Sequence, residues 1–257
     1  MKLQRYKPAV ALRPFVKNFT IIENDGAVDN VVLPDTAMVL SFRFQGSVAV
    51  SENGVQQQLP AAVFSGMRKS HRQISYTAST GNFLITFTPV GAAAFFREPM
   101  HTFFGHTLPA ADLKGLRDIT YMAEQLAACP APAAKIAFME KVLLSALPSS
   151  TPDLLVTHAV QQITIHKGNL PIKELARQLF VSQDAFEKRF RRVVGSSPKQ
   201  FATVTRLRNT IDNYTPGQSF TELAYAAGYF DQAHFIRDFK TFTGKTPGQF
   251  FKESVFW

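Results

Sequence analysis

One stretch of this chain occurs twice, and the repetition limits the fold more than any other feature of it. Leu175-Ala176 is followed 48 residues later by Leu223-Ala224, and after one extra residue the match continues at an offset of 49. It pairs Ser182 with Asp231, Phe186 with Phe235, Phe190 with Phe239, Arg191 with Lys240, Gly195 with Gly244, Pro198 with Pro247 and Phe201 with Phe250. Self-similarity of this length means two copies of one supersecondary unit.

The second copy shows what the unit is. Thr221 to Ala227 reads as a short helix with Leu223 and Ala224 turned inward, ended by Gly228. Asp231 stands at an N-cap position, and Phe235, Ile236, Phe239 and Phe242 fall on a helical stripe. Lys240 suits the negative end of that helix, Gly244 stops it, and Thr246-Pro247 opens another. Two helices joined by a glycine-containing turn make a helix-turn-helix. Its outer face carries Gln232 and Arg237, with Lys240 further round, groups that hydrogen-bond base edges or phosphates. In the first copy, Gln183 to Val194 is the corresponding helix, with Phe186, Phe190 and Val194 inward and Asp184, Glu187, Lys188, Arg191 and Arg192 outward. A long helix from Ser197-Pro198 to Asp212 would tie the copies together, packing through Phe201, Val204, Thr205 and Leu207, with Arg206 and Arg208 outward or paired.

Residues 154–253 resemble the DNA-binding domain of the AraC/XylS family of bacterial transcription regulators. The stretch AAGYFDQAHFIRDFKTFTGKTPGQF follows that family's signature through Gly228, Phe235, Arg237, Phe239, Lys240, Gly244 and Pro247. The resemblance implies duplex DNA as the partner. Carried over position by position, it assigns base contact to Asp184, Glu187 and Lys188 in the first helix, and to Gln232, Ala233, Ile236 and Arg237 in the second. Arg191, Arg192 and Lys240 are the expected phosphate contacts. Arginine can grip guanine with two hydrogen bonds, glutamine adenine, and a carboxylate can accept from cytosine N4. Asp184 and Glu187 together depart from a basic reading surface, so the first helix is expected to add selectivity more than affinity. Ala233 and Ile236 offer only apolar contacts, such as to a thymine methyl.

Charge agrees with this placement. The chain carries a formal +9, of which residues 166–257 hold 14 Lys or Arg against 8 Asp or Glu. The longer first part, 1–165, holds 14 against 11. A cationic C-terminal domain suits a polyanion.

The first ninety residues read as strands, at Phe19 to Glu23, Val31 to Leu33, Ala37 to Phe44, Ser47 to Ser51, Val55 to Leu59 and Phe83 to Phe87. Glu52-Asn53-Gly54 is the clearest hairpin turn among them. Many short strands suggest a barrel or sandwich, and the resemblance favours a cupin-like barrel. The expected class is therefore α+β: an N-terminal all-β cupin-like barrel with a helical extension, then an all-α domain with two tandem helix-turn-helix units. The expected divisions are a regulatory β-domain over 1–110, a helical linker or dimerisation segment over 111–150, and the DNA-binding domain over 151–257. Short helices are read at Gly91 to Arg97 and Pro99 to Phe104, and longer ones at Leu113 to Ala128 and Pro132 to Leu147. The stripe Ile136, Met139, Val142, Leu143 and Ala146 fits packing on the barrel or a dimer seam. Pro148-Ser149-Ser150-Thr151-Pro152 reads as the linker, and Asp153 to His166 as the first helix beyond it.

Enzyme chemistry has little to stand on. His71, His101 and His106 lack the one-residue spacing that places two ligands on one face of a strand. There is no Gly-rich phosphate loop, nucleophile elbow or paired-carboxylate arrangement. The expectation is a non-enzyme with no cofactor and no metal. The single Cys129 excludes an internal disulfide framework, and no apolar run reaches membrane-spanning length. The chain therefore reads as cytoplasmic, at the nucleoid, with no membrane partner. The resemblance further implies a small-molecule effector, RNA polymerase and a second copy of the chain as partners. The effector-binding residues stay unassigned, although a barrel cavity lined by Phe42 and Phe44, or by neighbours on the opposite face, is the expected place for an organic ligand. A metal or small-molecule enzyme, and a constitutive DNA-binding protein without effector, stand as the competing readings.

Overall fold

The computed structural model describes residues 1–252 apart from 53–54, 117, 120 and 148–151. The Asn53-Gly54 turn and the linker from Pro148 to Thr151 thus lie outside the described residues. The N-terminal part is built from two antiparallel sheets. Six strands run in the order β1 (Lys2–Tyr6), β2 (Val16–Asn24), β9 (Thr80–Phe87), β4 (Val39–Gln45), β7 (Ala62–Ser65) and β10 (Thr107–Pro109). The other four run β3 (Val28–Val32), β8 (Arg72–Tyr76), β5 (Val48–Glu52) and β6 (Val55–Gln58).

Register places the apolar residues of the larger sheet in rows. Phe19 faces Ile85, Ile85 faces Leu40, and Leu40 faces Phe64; one step along, Ile21, Phe83 and Phe42 form a parallel row. All seven are 0–1 % exposed. Burying a side chain of this kind contributes roughly 1.5–3 kcal/mol. The period of two then turns alternate residues to the other face, where Ser41 donates to Asn82 Oδ1 at 2.8 Å. The main core therefore lies between the apolar face of this sheet and the helices. It includes Phe42, while Phe44 is half-buried beneath an ammonium group. Those two rings belong to the sheet–helix layer, which corrects their expected place in a barrel cavity.

The helices that cover the sheet are α1 (Met122–Ala128) and α2 (Pro132–Ala146). Lys135 of α2 is 6 % exposed and donates to the carbonyls of Leu126 (2.5 Å) and Cys129 (2.6 Å) at the end of α1. Its ammonium sits 4.4 Å above the centre of the Phe44 ring. A cation at a helix C-terminus and over an aromatic face is stabilised by both, so one side chain joins α1, α2 and β4. Met139 and Leu143 are fully buried in this core, so the apolar stripe of α2 is used inside the chain. Helix α1 is shorter than the span from Leu113 predicts. Asp118 has φ 53°, a left-handed conformation no helix continues through, and Leu113, Leu116 and Ile119 reach the core from irregular chain. The segments near 91–97 and 99–104 close to single 3-10 turns at Ala92–Ala94 and Met100–Phe103.

Seven helices follow: α3 (Leu154–Ile165), α4 (Ile172–Gln178), α5 (Gln183–Val194), α6 (Pro198–Asp212), α7 (Phe220–Ala226), α8 (Gln232–Thr243) and α9 (Pro247–Phe250). Asp153 caps α3, accepting from Val156 N at 3.1 Å, and its other oxygen takes Arg189 Nε of α5 at 2.6 Å. Phe186, Phe190 and Phe201 share the large core with the β-domain, whereas Phe235, Phe239, Phe242 and Phe250 form a second core. Leu33 of the β-domain is buried in that second core. Beside it, Arg208 of α6 donates to the carbonyls of Pro34 (2.6 Å) and Leu33 (3.1 Å). The β-domain thus touches both repeats.

Candidate nucleic-acid interface

The two repeats close in the same way. In the first, Leu179 N, Phe180 N and Val181 N bond to the carbonyls of Leu175, Arg177 and Ala176; in the second, Ala227 N, Gly228 N and Tyr229 N bond to those of Leu223, Tyr225 and Ala224. The offset is therefore 48 through Val181 and Tyr229. The extra residue is Phe230, placed between Tyr229 and the N-cap Asp231. Ser182 Oγ then accepts from Ala185 N (3.3 Å) and Asp231 Oδ1 from His234 N (2.7 Å), so each outer helix begins on a side-chain cap. The aromatic packing repeats as well. Phe186–Phe190 and Phe190–Phe201 centroids are 5.7 Å apart, and Phe235–Phe239 and Phe239–Phe250 are 5.5 and 5.3 Å apart, all edge-on.

Both outer helices end alike. Gly195 (φ 90°) and Gly244 (φ 81°) are left-handed caps, bonding back to the carbonyls of Arg191 and Lys240. A methyl group at Gly195 would meet Met38 and the Met100 carbonyl; at Gly244 it would meet the His71 ring. Each cap thus lies against the β-domain. The N-terminal ends and outer faces of α5 and α8 are left open.

On α5, Asp184 and Lys188 are both exposed and paired at 3.1 Å. Glu187 is half-buried, accepts from Gln183 Nε2 at 3.1 Å and lies 3.8 Å from Arg191. The two carboxylates that sit oddly on a reading surface are therefore each matched to a cation one turn on. Arg192 is exposed on the same helix. On α8, Gln232, Ala233, Arg237 and Lys240 are exposed, and Ile236 is half-buried against the second core. Gln232 Oε1 accepts from Thr221 Oγ1 of α7 at 2.9 Å, which orients the amide. Among the described residues neither Arg237 nor Lys240 enters an ion pair.

Behind α8 lies a group that local sequence pattern does not announce. Tyr229 is 3 % exposed, its hydroxyl donates to Asp238 Oδ2 at 3.2 Å, and Arg206 of α6 stacks 4.4 Å over its ring. Burial pushes the phenol well above its usual range, with Arg206 opposing. On α4, the half-buried Glu174 is held below the usual carboxylate range by hydrogen bonds from Arg177. The aromatic Phe180 and Phe230, both exposed in the turns, also escaped the sequence reading. A phenylalanine aligned with Gly228 was the available signal for the first. Among the described residues no three His, Cys, Asp or Glu side chains gather at a metal-binding distance. No described helix is long and apolar enough to cross a membrane.

Comparison with known proteins places these elements. Residues 175–253 match the family model described as a helix-turn-helix domain, and residues 4–109 match that of a domain of unknown function. No curated protein matches the chain. Among solved structures, ToxT from Vibrio cholerae O395 is similar at 11 % identity and TM-score 0.45, over 93 % of this chain and 97 % of that one. The C-terminal domain of AraT, a response regulator from Geobacillus stearothermophilus, is 23 % identical with TM-score 0.38, over 40 % of this chain and 88 % of its own. The AraC-like transcriptional activator CuxR is 11 % identical with TM-score 0.28, over 88 % and 90 %.

Proposed function

We propose that this chain, a DNA-binding transcription regulator with an AraC-type helix-turn-helix domain, sets α5 and α8 into two successive major grooves on one face of the duplex. The observation that carries the reading is common to the two helices: both C-terminal caps lie on the β-domain and both N-terminal ends are exposed. Twelve residues make a helix of about 18 Å, a size the major groove accepts. Successive grooves on one face recur about every 34 Å, so one chain can occupy two of them without a partner copy.

The residues divide by chemistry. Arg237 and Gln232 carry forks suited to guanine and adenine, and Ala233 with the edge of Ile236 supplies apolar contact. Asp184, Glu187 and Lys188 read from α5, while Arg191, Arg192 and Lys240 meet phosphates. Lys188 and Arg191 must exchange a carboxylate on their own helix for the DNA, so α5 adds selectivity at a cost in affinity. The β-domain is the regulatory part in this reading. It senses a small molecule or joins two copies, and RNA polymerase is the further partner.

Selection of binding sites from random duplex DNA by the full chain, followed by footprinting, tests the reading. Two protected tracts about 10–10.5 base pairs apart, centre to centre, are expected. Affinity should fall with salt at a log–log slope of about −0.9 per phosphate contacted. A single protected tract, or binding that salt leaves unchanged, would overturn it.

A further inference from the structure

The chain contains 24 phenylalanines, and among the described ones only Phe180 and Phe230 are exposed. They are 96 % and 90 % exposed, more than any other large apolar residue described. Both stand in the turn of a helix-turn-helix, Phe180 two residues before the N-cap of α5 and Phe230 one residue before that of α8. Water around a whole Phe ring is unfavourable, and this chain accepts it twice, once in the turn of each repeat.

Each position is also unusual by itself. Phe180 has φ 55°, in the left-handed region, while its structural counterpart Gly228 has φ 74°. Glycine takes that conformation without penalty, whereas a bulky side chain there is strained. Nothing in the turn asks for an aromatic ring, since the same three backbone bonds form around Gly228. Phe230 is the residue by which the second turn exceeds the first, so its ring is carried on chain that the first copy does without. Strain and insertion that fold no better point outward, to something the rings touch.

Because both C-caps lie on the β-domain, the two rings occupy the opposite ends of α5 and α8. We infer that Phe180 and Phe230 are apolar contacts to DNA, each lying at the groove edge against deoxyribose or a thymine methyl group as its helix enters. Duplex DNA, rather than an apolar protein face, is favoured by charge around the first ring. The span 171–195 carries six Lys or Arg against three Asp or Glu, and Arg177 lies exposed three residues before Phe180. The inference rests on the DNA-reading role of α5 and α8.

The test uses the full chain and a duplex recovered by selection from random sequence. Phe180→Gly relieves a strained backbone, so its melting temperature should equal or exceed that of the parent. Its affinity for the duplex should nevertheless fall roughly tenfold, the size expected when part of a Phe surface stays in water. Phe230→Ser should lose affinity to a similar extent. Neither ring neutralises a phosphate, so the salt slope should not change, whereas Lys240→Ala should reduce it by about 1. Unchanged affinity in both variants overturns the inference. So does a loss of self-association in sedimentation with DNA affinity intact, which would make a second copy the occupant. Failure of the parent chain to recover any duplex would instead strike the DNA-binding reading itself.

Discussion

Gly195 and Gly244 stand 49 residues apart and end the two outer helices with the same left-handed turn, each pressed against the β-domain. Their surroundings differ in stiffness. An added Cβ at Gly195 would lie 2.9 Å from the Met100 carbonyl oxygen as well as 2.1 Å from Met38 Cε, while at Gly244 its nearest neighbours are the atoms of the His71 ring, at 2.5 Å and beyond. A side chain can swing aside; a backbone carbonyl held in a packed turn cannot.

Gly195→Ala is therefore expected to destabilise the protein by about 2–4 kcal/mol, combining the left-handed penalty with the contact on Met100. Gly244→Ala should cost about 1–2 kcal/mol, the conformational penalty alone. Chemical denaturation measures both. Equal losses at the two positions would contradict the difference between a fixed and a movable wall.

Arg237→Ala should cost roughly 1–3 kcal/mol on the preferred operator and relax the preference at one base pair. Lys240→Ala, near the helix end and free of ion pairs among the described residues, should weaken binding to all sequences alike. Competition binding with operator and random duplexes separates the two. If Arg237→Ala lowers both affinities equally, the residue meets phosphate and the recognition face has been misassigned.

Arg208 binds the β-domain to α6 through two carbonyls, and hydrogen bonds to a charged group contribute about 1.5–3 kcal/mol each. Arg208→Ala should accelerate amide hydrogen exchange near Leu33 and along the second half of α6. It should leave exchange in the rows around Phe42 and Phe83 unaltered. Identical exchange in variant and parent would show that Leu33 alone holds this contact.

Tyr76 and Tyr229 are both pushed above the ordinary phenol range by burial. A raised folded-state pKa favours the neutral phenol. The stability it reflects is complete below about pH 10, where an unfolded tyrosine ionises, and is lost as pH rises beyond it. Of the six tyrosines, these two should form tyrosinate only as the protein unfolds in alkali. Tyr229→Phe should reduce that delayed absorbance change by about half, and early ionisation of Tyr229 in the folded chain would refute its burial.

Where periodicity and caps coincide, the sequence was enough to place the elements. Asp231, Gly244 and the Phe235–Phe239 spacing each act through the nearest turn of helix, so α8 could be bounded closely from its own residues. The β-domain was less legible. Strand β1 (Lys2–Tyr6) alternates too few apolar residues to mark a face, and it exists because β2 supplies its ladder partners. The sequence leaves open whether Phe42 or its neighbours on β4 turn toward the helices, because alternation tells which residues share a side, not what covers it. Lys135 could not have been read as a core residue, since its acceptors lie six and nine positions away on another helix. In the reading surface the exposed residues were visible as a stripe. The Asp184–Lys188 pairing follows from spacing alone, while the Arg206–Tyr229–Asp238 group needs the fold to bring α6 behind α8.

Helix α6 belongs to both repeats. Phe201 and Ala202 lie in the first core, Val204 and Leu207 in the second, and a reciprocal cap between Ser197 and Gln200 fixes its start. Fifteen residues make a strut of about 22 Å, so α5 and α8 keep a set phase to one another. In the proposed mode of binding, one base pair added between the half-sites of α5 and α8 rotates one target by about a tenth of a turn, and five carry it to the far side of the duplex. On that reading a promoter escapes the protein with every contacted base intact, by a change in spacer length, and a series of spacer insertions at constant half-sites should show affinity returning only after a full turn.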